Sequence, residues 1–166
     1  MKIRETVSDA DLEQIKKMFR QYFKWITDDN GINMSYQGIE SELNSLPGKF
    51  SAPEGCLLIA EVDGNPVGCV ALRSFEPGTC EMKRLFVQPE CRNKGVGKAL
   101  AKRIITEAKK KGYRKMLLDT GDFMETAQKL YSSLGFKTID QYYDVPEEVL
   151  KRSVFMELSL DDIPQN

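Results

Sequence analysis

Residues 80–100 read CEMKRLFVQPECRNKGVGKAL, and three textures succeed one another within them. Cys80–Val87 is an apolar-rich run that predicts a strand. Arg92-Asn93-Lys94-Gly95-Val96-Gly97 is a short, basic, glycine-containing turn. Val96, Leu100, Ile104 and Ala108 then recur at spacings of four, one face of a helix. Lys109-Lys110-Lys111-Gly112 closes that helix, because basic side chains and a glycine suit a helix C-terminus. A strand therefore runs through a tight turn directly into a helix. The first turn of a helix leaves several N–H groups unbonded and carries a partial positive charge. Gly95 and Gly97 lack Cβ atoms, so these amides can approach an anion closely. Arg92, Lys94 and Lys98 add full charges, and the whole reads as a diphosphate-binding turn. A Gly-x-Gly turn can equally be structural, so the pair of glycines alone leaves both readings open. It is not a Walker A loop, since Ala99 follows Gly97-Lys98 and supplies no hydroxyl for Mg²⁺. Nor is it a dinucleotide fingerprint: the third glycine is missing and no βαβ unit opens there.

Upstream of this stretch, Cys56–Val62 and Val67–Phe75 read as a hairpin around the turn Asp63-Gly64-Asn65-Pro66. With Cys80–Val87, beyond the turn Pro77-Gly78, they form an antiparallel meander. Two helices precede it. Ser8, with Asp11 three residues on, resembles a capped start. Leu12, Ile15, Phe19, Tyr22 and Ile26 form one helical face, broken at Asp28-Asp29-Asn30-Gly31. Ser35 is the expected cap of a second helix carrying Tyr36, Ile39, Leu43 and Leu46, ended by Pro47-Gly48. Met1–Thr6 is the expected opening or edge strand. Downstream, Lys115–Thr120 follows a helix and must be a parallel crossover partner of Cys80–Val87. Asp122 and Glu125 suggest another capped helix, with Ala127, Leu130, Tyr131 and Leu134 on its apolar face and Gly135 as its stop. Phe136–Tyr143 and Ser153–Leu160 are the last two expected strands, separated by a turn or short helical turn at Val145–Leu150. The order β-α-α-β-β-β-α-β-α-β-β predicts an α/β protein with a sheet of mixed direction and helices over it.

The whole chain supports this reading and narrows the chemistry. Its 166 residues suit one domain, 1–166, with a core large enough to need no staples. Lys+Arg total 24 and Asp+Glu 25, a net charge of −1, so no general basic field for nucleic acid is expected. There is no histidine. That excludes Ser-His-Asp and Cys-His nucleophiles, an imidazole base and any His-bearing zinc site, and no metal is expected. Acid–base work must fall to Glu, Asp, Tyr, Lys, Cys or water. Cys56, Cys69, Cys80 and Cys91 form no CxxC pair. They read as reduced core thiols, which with the polar start MKIRETVSDAD predicts a cytoplasmic chain. No stretch approaches a membrane span.

Two motifs carry a specific resemblance. Arg92-x-x-Gly95-x-Gly97-x-Ala99, preceded by Lys83-Arg84-Leu85-Phe86-Val87-x-Pro89, resembles the acetyl-CoA signature of the GNAT superfamily of N-acetyltransferases. Ala127-x-x-Leu130-Tyr131-x-x-x-Gly135-Phe136 is similar to the family's second signature, and the order of elements agrees along nearly the whole chain. The resemblance implies a central, mostly antiparallel, splayed sheet with helices on both faces. It implies acetyl-CoA as co-substrate. The CoA diphosphate would lie on the turn formed by Arg92, Asn93, Lys94, Gly95, Val96, Gly97 and Lys98. The pantetheine arm and acetyl carbonyl would meet backbone groups of Leu85, Phe86 and Val87, where an amide can stabilise the oxyanion. Many relatives carry an Asn where this chain has Phe123-Met124-Glu125, which puts that cofactor contact in question. Phe86 replaces the commoner tyrosine, with the backbone still able to serve.

The implied acceptor is an amine, on a small molecule or a protein, attacking the thioester directly. A lysine-like ammonium is neutral in only about one molecule in 10³–10⁴ at pH 7, so a base helps. Glu81 is the position where many relatives carry that base; it can also simply pair with Lys83, its same-face neighbour. Tyr131 matches the tyrosine that protonates the departing thiolate; it can also be a core residue beside Leu130 and Leu134. The first two helices and the final hairpin loop would wall the acceptor pocket, offering Tyr22, Trp25, Asp28, Asp29, Tyr36, Tyr142, Tyr143 and Asp144. Aromatics and acids of this kind can hold a cationic amine, or merely end a helix and pack. Relatives are often dimers, and no segment here specifies an interface. The alternatives are a non-catalytic CoA-binding regulatory domain and a nucleotide-phosphate module.

Overall fold

The computed structural model describes residues 1–6 and 8–161, and the side chain of Tyr36 lies outside that description. Seven strands form one sheet: β1 Lys2–Glu5, β2 Cys56–Val62, β3 Asn65–Glu76, β4 Thr79–Val87, β5 Lys115–Gly121, β6 Lys137–Ile139 and β7 Ser153–Ser159. Their spatial order is β1-β2-β3-β4-β5-β7-β6. Only β4 and β5 run parallel; every other neighbouring pair is antiparallel. The helices are α1 Asp9–Lys24, α2 Ile39–Ser45, α3 Val96–Lys110, α4 Glu125–Ser133 and α5 Glu147–Leu150.

The sheet is covered on both faces. One face packs Leu58, Val70, Leu72, Met82, Met116 and Leu118 against Leu100 and Ile104 of α3 and Tyr131 of α4. The other packs Leu57, Ile59, Cys69, Ala71 and Phe86 against Ile15, Phe19 and Phe23 of α1 and Leu43 of α2. Burial on both sides is the reason Cys56–Val62 reads as a near-continuous apolar run instead of an alternating one. Among the described residues no helix is long and apolar enough to cross a membrane.

Two departures from a regular sheet position the site. The β4–β5 ladder stops after Thr79↔Lys115, Cys80↔Met116 and Glu81↔Leu117, so the strands diverge beyond Glu81. On the other edge of β4, Cys69 faces Phe86 while Ala71 faces Lys83. Val70 thus opposes two residues, Arg84 and Leu85, a β-bulge in which Arg84 adopts φ +59°.

Several local expectations are corrected. Ser8 caps α1 in a full capping box with Asp11, but the α-helix ends at Lys24 and Trp25–Asp29 widens into a π-turn. Ser35 caps nothing: Ser35–Gln37 is a 3₁₀ turn, and left-handed Gly38 (φ +60°) redirects the chain so that α2 starts at Ile39. Asp122 caps nothing either. Both its carboxylate oxygens take Nε of Arg152 at 2.8 Å, and α4 begins three residues later. The strand expected over 136–143 spans only Lys137–Ile139. Tyr142 and Tyr143 leave it because their hydroxyls turn inward to buried carboxylates. The hairpin turn is the two-residue Asp63-Gly64, with φ +51° and +78°, so β3 starts at Asn65.

Candidate active site

The turn between β4 and α3 combines basic side chains with an unusual backbone. Asn93 (φ +60°) and Gly95 (φ +82°) are both left-handed, which curls successive amides toward one point. Among the described residues, none of the backbone amides of residues 93–98 donates to a backbone carbonyl; the first helical bond is Ala99 N–H to Gly95 O at 3.0 Å. Arg92 donates from Nε to Val87 O at 3.1 Å, and its guanidinium lies over the Trp25 ring at 5.5 Å and the Phe86 ring at 6.0 Å. Gly97 sits in the first helical turn, 3.6 Å from Val87 Cγ2 and 3.9 Å from Leu130 Cδ2 at the place a Cβ would occupy. A methyl there would fit the protein; the open space belongs to the groove.

That groove has a volume of about 520 Å³ and runs from Arg92, Asn93, Gly95, Gly97 and Lys98 past Leu85, Phe86 and Val87 to Ala127 and Leu130. Lys94 is exposed and Val96 is buried in the core, so neither side chain lines it. Trp25 and Phe123 line it, ring to ring at 5.6 Å. Where relatives place an Asn, this chain borders the groove with Phe123, Met124 and Glu125.

Beyond Leu85 the groove adjoins a second cavity, of about 100 Å³, inside the wedge between β4 and β5. Tyr22, Leu85, Phe123, Met124 and Ala127 line both spaces. Tyr131 reaches the cavity from α4 and packs on Phe136 at 5.7 Å. Among the described residues its hydroxyl has no hydrogen-bond partner. Burial, with the Asp119 charge adding to it, pushes its pKa well up, so the hydroxyl keeps its proton.

Glu81 lies just outside the wedge and is fully buried. Arg73 Nε binds Oε2, while Lys83 Nζ (3.2 Å) and the Tyr142 hydroxyl (2.8 Å) both bind Oε1. It does not line the cavity. Lys83 bridges onward to Asp119 Oδ1 at 2.7 Å, and the Tyr143 hydroxyl donates to Asp119 Oδ2 at 3.2 Å. Asp119 is the carboxylate of this network that faces the cavity. Burial acts to raise its pKa, and Lys83, Arg84 and the Tyr143 hydroxyl outweigh that, holding it below the usual carboxylate value.

The elements expected to wall an acceptor pocket border this cavity, though mostly through other residues than those expected. Tyr22, Ile26, Ile32, Met34, Val149 and Ser153 line the cavity from the first helical region and the β6–β7 connection. Asp28, Asp29 and Asp144 are exposed and lie outside it, and Tyr142 and Tyr143 are spent on Glu81 and Asp119. Asp119 was missed by reading the sequence, although a lone acid in the apolar run KMLLDT is a visible signal.

A splayed α/β sheet of mixed direction, with a strand–turn–helix beside the split and a buried tyrosine lining it, defines the fold to compare with known proteins. The chain matches the model of the acetyltransferase (GNAT) family over residues 12–136. It is 38% identical over 152 residues to an uncharacterized N-acetyltransferase of Schizosaccharomyces pombe, covering 90% of this chain and 89% of that relative. Its fold is similar to a GNAT-family acetyltransferase from Staphylococcus aureus Mu50, with TM-score 0.76, 21% identity, and coverage of 96% and 98%. YncA of Salmonella typhimurium, solved with acetyl-CoA, superposes with TM-score 0.68 at 24% identity, covering 100% of this chain and 97% of that one. The chain belongs to the acetyltransferase (GNAT) family and is an acetyl-CoA-dependent N-acetyltransferase.

Proposed function

We propose that the chain, acting as one domain, moves the acetyl group of acetyl-CoA to a primary amine by direct attack within a ternary complex. The observation that carries this is the adjacency of groove and cavity: they share Tyr22, Leu85, Phe123, Met124 and Ala127 as walls, with the basic turn of residues 92–98 on one side and the Tyr131 and Asp119 side chains on the other. The amides of Asn93 to Lys98, with Arg92 and Lys98, hold the diphosphate. The backbone at Leu85, Phe86 and Val87 receives the pantetheine arm and aims at the thioester carbonyl, where charge develops. The amine nitrogen forms a bond to the acetyl carbon as the carbon–sulfur bond breaks. Tyr131 gives its proton to the departing sulfur, a role supported by its place on the cavity and its hydroxyl without a partner among the described residues. The proton lost by the amine leaves through water past Asp119. Glu81 serves that step from behind, by fixing Lys83 and Tyr142 around Asp119.

No cysteine is needed as a nucleophile: burial pushes the Cys56 and Cys80 thiols up to about 12. The four free cysteines support a reducing, cytoplasmic setting. The test is CoA thiol release from acetyl-CoA with a broad panel of amines. Amine-dependent release is expected. Tight CoA binding with no release from any amine would instead indicate a binding module.

A further inference from the structure

Four charged side chains line the cavity in the wedge: Lys83, Arg84, Asp119 and Arg152. Three are cations, so the cavity does not offer the excess of acids that would hold a multiply cationic amine. Two of the cations are already committed. Lys83 binds Glu81 and Asp119 with its side chain 8% exposed, and Arg84 binds Glu42 with its side chain 4% exposed. Arg152 differs: its side chain is 41% exposed. Only its Nε is engaged, by Asp122, so both Nη groups are without hydrogen-bond partners among the described residues.

The guanidinium is also held in place. Its centre lies 5.5 Å from the Phe123 ring centroid. That ring can sit there because residue 121 is glycine: a Cβ at Gly121 would collide with the Phe123 ring. A planar fork, fixed by an ion pair and a ring, with two free donors, is the geometry that binds a carboxylate bidentately.

We infer that the acceptor amine carries a carboxylate, held by Arg152, and that the substrate class is a small amino acid. This rests on the acetyl-transfer reading above. Asp119 stands at the other end of such a ligand. It is two residues before Gly121 on β5, and Gly121 pairs with Ser153, the neighbour of Arg152. Two residues of strand span about 7 Å, a length that the amino and carboxylate ends of an α- or β-amino acid bridge with their contacts. Asp119 receives the ammonium end and Arg152 the carboxylate end.

The experiment compares L-alanine, L-aspartate and β-alanine with L-alaninamide and ethylamine, by thiol release and by calorimetric binding to the CoA-loaded enzyme. At least one amino acid is expected to exceed the amide and the amine about tenfold or more in kcat/KM. Arg152→Gln should raise the KM of that amino acid about 10- to 100-fold, leaving the KM for acetyl-CoA and turnover of the amide unchanged. Asp122→Asn, which frees the fork without removing it, should keep the amino-acid preference and so separates carboxylate binding from a structural role of the Arg152–Asp122 pair. Equal turnover of amide and amino acid, or an Arg152→Gln enzyme with unchanged amino-acid KM, overturns the carboxylate inference alone. Thiol release from none of these amines and from none of the broad panel above defeats the acetyl-transfer reading, and the calorimetric arm then still decides the carboxylate: loss of amino-acid binding in Arg152→Gln supports it, and no binding to the unaltered enzyme overturns it.

Discussion

Arg84 donates from Nε and Nη2 to the two carboxylate oxygens of Glu42, at 3.0 and 3.2 Å, inside the protein. The partners come from a strand bulge and from α2, 42 residues apart in sequence. The guanidinium also lies 4.5 Å from the Phe23 ring centroid, and Lys49 reaches Glu42 at 2.6 Å from the solvent side. Arg84 holds φ +59°, a left-handed conformation that a residue with a long side chain takes only when its surroundings fix it. The pair therefore pins the bulge that turns Leu85 toward the groove.

Replacing Glu42 by Gln should leave Arg84 buried without a counter-charge. Breaking one side of a buried pair costs about 3–5 kcal/mol, so denaturant unfolding should show a loss of that order. The pH dependence has a definite sign. Burial raises the Glu42 pKa, Arg84 and Lys49 lower it more, and the folded-state value lies below the ordinary 4.5. Its stabilising contribution is complete above about pH 4.5 and is lost as pH falls through the lower folded value. Stability measured from pH 7 to pH 3 should fall less steeply in Glu42→Gln than in the unaltered protein. An identical acid limb in the two would show that Glu42 is not a source of it.

Tyr131→Phe tests the proton donor with little structural disturbance. The ring contact with Phe136 survives, and the hydroxyl removed has no partner among the described residues, so stability should change by less than about 0.5 kcal/mol. Loss of a general acid should lower kcat about 10²–10⁴-fold with acetyl-CoA affinity unchanged. Because the Tyr131 pKa is pushed up from 10, the unaltered enzyme should show no fall in kcat near pH 10 from this group. A kcat profile with a limb near 10 that vanishes in Tyr131→Phe would contradict the burial argument.

Much of this was legible because it is local. The strand–turn–helix of 80–110 is written in a change of period and two glycines, and the parallel β4–β5 pair follows from the intervening helix. The bulge at Arg84 was not legible, since nothing in Lys83-Arg84-Leu85 marks a left-handed residue; its cause is a carboxylate on α2. Tyr142 and Tyr143 read as strand residues, and only the fold shows Glu81 and Asp119 drawing them inward. Trp25 was visible as a candidate for the acceptor wall. It lines the groove beside Arg92 and Phe123 instead, a placement set by partners distant in sequence. Long-range pairing thus accounts for what the periodicity of the chain did not reveal.

Gly97→Trp tests the phosphate turn. The position is open toward the groove, and a methyl there would meet Val87 Cγ2 and Leu130 Cδ2 only at ordinary contact distance. A large ring must therefore occupy the groove, and it need not break the fold. Acetyl-CoA binding measured by calorimetry should fall at least about 100-fold, with the circular dichroism spectrum retained. Unchanged CoA affinity in a folded Gly97→Trp protein would remove the turn from the cofactor site.

Gly68→Ala addresses the same groove from behind. Gly68 is buried on β3 opposite Val87, the last residue of β4. A Cβ there would stand 2.8 Å from Phe86 O and 3.1 Å from Leu100 Cδ1. Leu100 can shift by a few tenths of an ångström, but the Phe86 carbonyl is backbone, so β4 itself must move. Overpacking of this kind costs about 1–3 kcal/mol, and the displaced segment is the one that borders the groove at Leu85, Phe86 and Val87. Gly68→Ala should therefore lower stability by that amount and also raise the KM for acetyl-CoA, although residue 68 touches neither groove nor cavity. A stability loss with an unchanged KM would mean that the end of β4 does not set the position of the cofactor.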